Sequence, residues 1–382
     1  MKLKDTAIYV AVLVLSVVFL FVGNRLTRVE ADDTAYQFDS RHYTGVVTEI
    51  VERHEQEIWG ANSTTVVFDV RLTTRGRRGD IVTADQLFGD FELVSQREVS
   101  VGDRVVLFYA SWDSNYHFSN YARINNVVVF GAIFLLLVIL FGRTKGFNAI
   151  IALGFTCMAV FLVFVPAILS GRNIYITTIV ICGYAIITTI LIVVGSNKKA
   201  LAAILGCLGG VLLAGLSMVS MDLVLRLTGA LDRETEMLLL LPTDPPIDLR
   251  AIIFAGVILG AVGAIMDVAM SISSSLWEVK EAGGISDLKN IFKSGTAIGK
   301  DIFGTMLNTL ILAYIGSSLS LILLLNANSV SLTNLFNMEM IIVELLRALV
   351  GSFGMLMTIP LTAAICGWFY TRSRQNAVDK TR

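Results

Sequence analysis

The sequence predicts an α-helical polytopic membrane protein of about eight spanning helices, with a small all-β, OB-like domain inserted outside the membrane. Three observations predict this class. Apolar residues make up 55% of the chain and charged residues 16%, against roughly 45–50% and 25% in ordinary soluble domains. The apolar excess, which lifts mean hydropathy to +0.71, falls in blocks of the ~20 residues that cross a hydrocarbon layer as helix. Between the first and second blocks the pattern changes to the two-residue alternation of strands. The expected organisation is a transmembrane anchor over residues 1–25, an extracytoplasmic barrel-like domain over 40–112, a seven-helix transmembrane domain over 126–371 and a cytoplasmic tail over 372–382.

The apolar blocks are Thr6–Val22, Asn126–Phe141, Phe147–Leu169, Ile174–Gly195, Ala200–Leu225, Ala251–Ser274, Gly304–Leu325 and Ala348–Tyr370. Each is read as helix, because lipid satisfies no exposed backbone group. The first block follows Lys2 and Lys4, as a signal peptide also would. Val29-Glu30-Ala31 could serve as a cleavage site, but it lies past Arg25 and Arg28, which favours an uncleaved anchor. Lys/Arg asymmetry sets the orientation. With the amino terminus inside, cytoplasmic segments after the β-domain hold twelve basic residues, Arg143 and Lys145 through Arg382, against five outside: Arg172, Arg226, Arg233, Arg250 and Arg347. Both termini are therefore expected in the cytoplasm of a bacterial cell membrane, with the β-domain outside.

Residues 43–110 supply the strands. In 64–74, Val66, Phe68, Val70 and Leu72 take one face and Val67, Asp69, Arg71 and Thr73 the other. Gly76–Gly79 and Val101-Gly102-Asp103 read as turns. No dense aromatic or basic face is visible, so a spacer or assembly role is placed ahead of oligomer binding. Trp112, Tyr116, Phe118 and Tyr121 then read as an aromatic belt at lipid headgroup level.

Composition excludes several classes of function. Net charge is −1, so nucleic acid is not an expected partner. Cys157, Cys182, Cys207 and Cys366 all lie in apolar blocks, without a CxxC or Cys/His pattern, so no metal or cofactor is expected. His42, His54 and His117 lie in the β-domain, which leaves no histidine at membrane depth for serine or zinc chemistry. An enzyme is not expected.

The sixth and seventh spans carry the polar signal. In the sixth, Gly256, Gly260, Gly263, Asp267, Ser271 and Ser274 recur at helical spacing as one stripe of small and polar residues. Gly256 and Gly260 form a GxxxG pair, and with Gly263 and Gly316 are read as helix-packing sites. Asp267 is a candidate proton or cation site, or a carboxyl hydrogen-bonded across a helix interface. In the seventh, Asp301, Thr305 and Thr309 form a second polar stripe with Asn308 beside it. Two antiparallel neighbours would place these groups about 10 Å from the cytoplasmic edge, so Asp267 is expected to meet Asn308 or Thr305. Asp222 with Arg226, and Glu344 with Arg347, read as surface ion pairs. Pro360 is expected to kink the eighth span. Ile285, Leu288, Ile291 and Phe292 share a face of an interfacial amphipathic helix. Leu227–Arg250 reads as a loop on the membrane.

The runs GAVGAIMDVAMSISSSLWEV (260–279) and SGTAIGKDIFGTMLNTLILAYIGSSL (294–319) resemble the YibE/F family of bacterial membrane proteins, as do LTGALDRE (227–234) and GSFGMLMTIPLTA (351–363). An outer β-domain ahead of the helices is similar to the longer, YibE-type member. The resemblance implies a polytopic membrane fold and a related membrane subunit as partner. It implies no substrate or activity, so no catalytic residue is carried over. Two functions are expected to compete: a transporter or channel for a small solute or ion using the polar seam, or an envelope assembly or sensing protein whose outer domain binds a partner. The expected partners are the lipid bilayer and either a related membrane subunit or a second copy of the chain.

Overall fold

The computed structural model describes residues 3–27, 41–58, 61–89, 97–110, 115–282, 287–327 and 331–378. Trp112, Ile285 and the Val29-Glu30-Ala31 stretch lie outside them. The chain is mostly helical, with several long apolar helices and a small β-barrel, and divides into two units: Met1–Glu30 with Gly142–Arg382, and Ala31–Phe141. The division falls inside a helix. Strand and helix bounds follow for each unit in turn.

The smaller unit holds β1 (Arg41–Ile58), β2 (Ala61–Leu72), β3 (Ile81–Gly89), β4 (Arg104–Ala110) and β5 (Asn115–Tyr121), closed as a barrel in the order β1-β2-β3-β5-β4. All pairs are antiparallel except β3 with β5. Register shifts at Val47/Glu49 and Ile50/Glu52 let β1 bend, as bulges do, so that one strand pairs with both β2 and β4. The inward set expected of β2 is the core: Val66, Phe68 and Val70 are fully buried, with Val47, Val105 and Leu107. Buried Gln86 ties the segment before β4 to the barrel, donating to Arg97 O at 3.1 Å and accepting from Val99 N–H at 3.0 Å.

Two expectations change here. The barrel runs past residue 112, because NYHFSNY forms β5. The aromatics read as a headgroup belt belong to the barrel: Tyr116, Phe118 and Tyr121 pack against its core. A strand without aliphatic alternation gives no period-2 signal, and aromatics with polar tips suit a barrel end as well as a headgroup layer.

The larger unit begins with α1 (Leu3–Leu26), which packs on α4. Helix α2 (Ile124–Ala159) crosses the division between units. Arg143 interrupts it with φ 49° and ψ −130°, so the long apolar stretch consists of two helices, as expected. The second continues through a π-helical turn, Val160–Phe164, into α3 (Val165–Leu169). Then come α4 (Ile174–Val194) and α5 (Lys198–Leu225), N-capped by Asn173 and Asn197. Short α6 (Arg233–Met237) precedes α7 (Leu249–Glu281), α8 (Leu288–Ser317), α9 (Leu319–Ala327), α10 (Leu332–Leu335) and α11 (Glu339–Val378). Among the described residues, six helical stretches are long and apolar enough to cross a membrane, with Ile124–Leu169 counted as one. The expected seventh span is not among them. Its residues divide between α8 and α9 at Ser318, and α8 starts sixteen residues earlier than expected, absorbing the amphipathic segment.

Helices α4, α5, α7, α8 and α11 enclose the main core, and glycines set how closely α5 and α8 approach α11. A Cβ on Gly206 would lie 2.0 Å from Thr362 Oγ1, and one on Gly210 1.9 Å from Thr358 Oγ1. On α8, a Cβ on Gly295 would lie 2.8 Å from Ala363 Cβ, and one on Gly299 2.4 Å from Ile359 Cγ2. Two pairs spaced four apart, on α5 and α8, thus grip the same stretch of α11 on either side of Pro360. Helix α11 continues through Pro360 as a single element.

Candidate functional site

The polar stripe of α7 lies on one side of a helix whose other side is core. Val257, Ile258, Ala261, Ile265, Val268, Ala269 and Ile272 are buried, whereas Gly256, Gly260, Gly263 and Asp267 are exposed and Ser271 is half-buried. Helix α8 is antiparallel to α7: Gly295 sits beside Leu276, Gly299 beside Ile272, and Tyr314 beside Gly260. That progression puts Asp267 level with the stretch around Thr305 and Asn308, as the depth count required.

Sharing a level does not bring the groups together. Asp267 makes no hydrogen bond or ion pair, and neither does Asn308, among the described residues. Thr305 and Thr309 turn their hydroxyls to their own helix, to Ile302 O at 2.9 Å and Thr305 O at 3.2 Å. Asp301, Thr305, Asn308 and Thr309 are all exposed. The expected contact of Asp267 with Asn308 or Thr305 is therefore not formed. The reason is rotational. The core takes Ile291, Gly295 and Gly299 of α8, with Ile302, Met306 and Leu310 packed against it, so its polar residues fall beside the α7–α8 seam. The result is an open polar face rather than an enclosed channel.

The glycines expected to pack helices sort differently. A Cβ on Gly256, Gly263 or Gly316 would meet nothing within 4 Å, and one on Gly260 would reach only Tyr314 Oη at 3.6 Å. Within this chain the close-packing pairs are Gly206/Gly210, on the glycine-rich fifth span whose sequence reads as close-packing, and Gly295/Gly299. The second pair has the same i, i+4 spacing in the sequence, but its neighbouring lysines point to a surface helix.

Sequence reasoning missed other polar groups. The Tyr314 hydroxyl is buried without a partner among the described residues, 3.6 Å from where Cβ atoms on Gly260 and Gly351 would sit. At the other end of α7, buried Ser273 donates to Lys199 O at 2.6 Å, and Tyr370 donates to Ser273 O at 3.1 Å. Lys280 lies over the Trp277 and Tyr370 rings, 5.3 and 5.1 Å from their centroids. No sequence period marks such a knot. Of the expected ion pairs, Glu344–Arg347 forms at 2.7 Å. Asp222–Arg226 does not: Arg226 takes the left-handed C-cap of α5, its N–H bonding Asp222 O, and Asp222 Oδ1 is buried without a partner among the described residues. The segment after α5 is held by Glu339, whose carboxylate accepts from Thr228 N–H at 2.7 Å, Gly229 N–H at 2.6 Å and Thr228 O–H at 2.7 Å.

Fold and site together define a class: a bundle of long apolar helices preceded by a small barrel, with one polar face left open on the bundle. The model of the family described as YibE/F-like protein matches residues 130–372, and the chain belongs to that family. No match was found among curated proteins or among solved structures.

Proposed function

We infer that this is a multi-pass protein of the bacterial cell membrane, with both termini cytoplasmic and an OB-type barrel outside. In this reading the open face of α7 and α8 is one wall of a pathway for a small solute or ion, and a second copy of the chain closes it. The single observation that carries the reading is Asp267 level with Asn308, both exposed and both unpaired. A carboxyl facing lipid at mid-helix costs about 2.5–3.5 kcal/mol on insertion scales, so such a face calls for protein or water over it. The glycines around Asp267 leave room for a helix to approach closely. The six long apolar helices support membrane insertion. The antiparallel approach of α5 to α11 at their glycine contacts is compatible with successive crossings.

The test places single cysteines at Gly263 and Ser271 in a cysteine-free background, in native membranes. Disulfide cross-linking between copies is expected at Gly263. Labelling by a membrane-impermeant thiol reagent is expected at Ser271. Asp267→Asn, in the same membranes, should abolish the solute or ion flux that the wild-type chain confers. Positions that neither cross-link nor label would overturn the reading.

A further inference from the structure

The barrel has a chemically distinct end, where the fold brings tyrosines of three strands to an arginine-bearing turn. The β2–β3 turn, residues 73–80, carries Arg75, Arg77 and Arg78, all exposed. Backbone bonds hold the turn: Thr73 N–H to Thr44 O at 2.7 Å, Leu72 N–H to Asp80 O at 2.9 Å and Gly79 N–H to Leu72 O at 2.9 Å. The Thr44 N–H also donates to Thr74 Oγ1 at 2.7 Å. Gly76 and Gly79 take φ of 98° and 100°, which only glycine adopts without strain. The turn is thus rigid before any ligand arrives.

It lies against Tyr43 and Tyr116, which meet edge to face at 5.6 Å between centroids, and Tyr109 packs on Tyr116 at a tilt, 5.1 Å between centroids. Arg77 reaches the first two. Its guanidinium lies 5.8 Å from the Tyr43 centroid, donates to Tyr116 Oη at 2.5 Å and pairs with Asp80 at 3.2 Å. That leaves Arg75 and Arg78 with no ion pair among the described residues, on a turn whose one carboxylate is already engaged. Nearby Asp85 is also occupied, by His117 Nδ1 at 2.8 Å.

The geometry points to a binding site for an acidic polysaccharide. Arginines on a fixed turn bind carboxylates or phosphates through planar, two-pronged hydrogen bonding. Tyrosines supply an apolar ring and a polar tip, which suit the face and hydroxyls of a sugar. An open, half-buried aromatic shelf beside separated guanidinium groups fits an extended chain carrying repeated charges better than one small anion.

The test uses the full chain in nanodiscs of phosphatidylcholine, which brings no net lipid charge. The probes are oligogalacturonate and its neutral methyl ester, with single-stranded DNA and vesicles rich in phosphatidylglycerol as rival polyanions. The expected result is binding of oligogalacturonate that weakens with added salt, with the ester bound at least tenfold more weakly. The Arg75→Ser, Arg78→Ser double variant should lose about tenfold in affinity, as the removal of charge-assisted bonds predicts. Both side chains are exposed and unpaired, so the barrel should keep its circular dichroism. Equal binding of acid and ester, no binding of either, tighter binding of DNA or vesicles, or indifference to the double variant would each overturn the proposal.

Discussion

Gly210→Ala puts the packing of the helical bundle to a quantitative test. The new methyl would lie 1.9 Å from Thr358 Oγ1, 3.2 Å from Gly354 O and 3.2 Å from Ile265 Cγ2. Thr358 is fully buried, and its hydroxyl donates to Gly354 O at 2.7 Å. Rotating that hydroxyl away breaks the bond, at about 1 kcal/mol, and strands a buried donor. The backbone carbonyl still blocks the methyl, so α5 and α11 must part slightly, and such overpacking costs ~1–3 kcal/mol. Against this, alanine is the better helix former by about 1 kcal/mol. The net expectation is a loss of roughly 1–3 kcal/mol, from these opposing terms. Thermal unfolding of the purified chain in detergent, followed by size-exclusion fluorescence, reads the change in midpoint. Thr358→Ala removes the obstructing oxygen, so the Gly210→Ala, Thr358→Ala pair should be more stable than the sum of its single changes. Gly256→Ala, which meets open space, should not destabilise the isolated chain. A Gly210→Ala protein as stable as wild type, or a double variant no better than additive, would refute the reasoning.

Other consequences can be checked one residue at a time. Glu339→Ala removes three hydrogen bonds to one carboxylate and should cost on the order of 2 kcal/mol after discounting for its partly exposed setting; faster proteolysis between α5 and α6 would report it. Gln86→Leu leaves the Arg97 carbonyl and Val99 N–H without their partner, costing about 1–3 kcal/mol, and hydrogen exchange at Val99 should accelerate. Asp232 caps α6, and bonds from the Thr235 hydroxyl and N–H hold its carboxyl below the ordinary carboxylate range. A lowered folded-state pKa means the cap's contribution is complete above the ordinary aspartate pKa and fades as pH falls through the lowered value. Asp232→Asn should remove that acid dependence of exchange at the Thr235 amide.

The parts of the fold legible in the sequence were those with a strong period or a hard physical limit. Apolar blocks marked the helices because lipid length is fixed. Alternation along β2 marked the barrel wall, since Val66, Phe68, Val70 and Leu72 can all point inward only as a strand. Strand β5 was not legible: its aromatics have no aliphatic rhythm, and two environments accept them equally. The break at Ser318 was not legible, because the apolar run of the expected seventh span continues from α8 into α9 while α8 itself carries a polar face along its length. For the polar site, the stripe on α7 and its depth could be read from spacing alone. What spacing cannot supply is the rotation of one helix about its axis relative to the next. That depended on Gly295 and Gly299, whose role appears only once α11 is beside them.

The grip on α11 has a mechanical consequence. Proline has no N–H to offer, so the Leu356 carbonyl, four residues back, loses its usual partner in the ladder. A helix missing that rung normally bends with little resistance. Here Thr358 and Thr362 rest on α5, while Ile359 and Ala363 rest on α8, so the weak point is splinted from two sides. Any stroke that swings one half of α11 against the other must carry α5 or α8 along with it, turning a soft joint into a lever that displaces its neighbours.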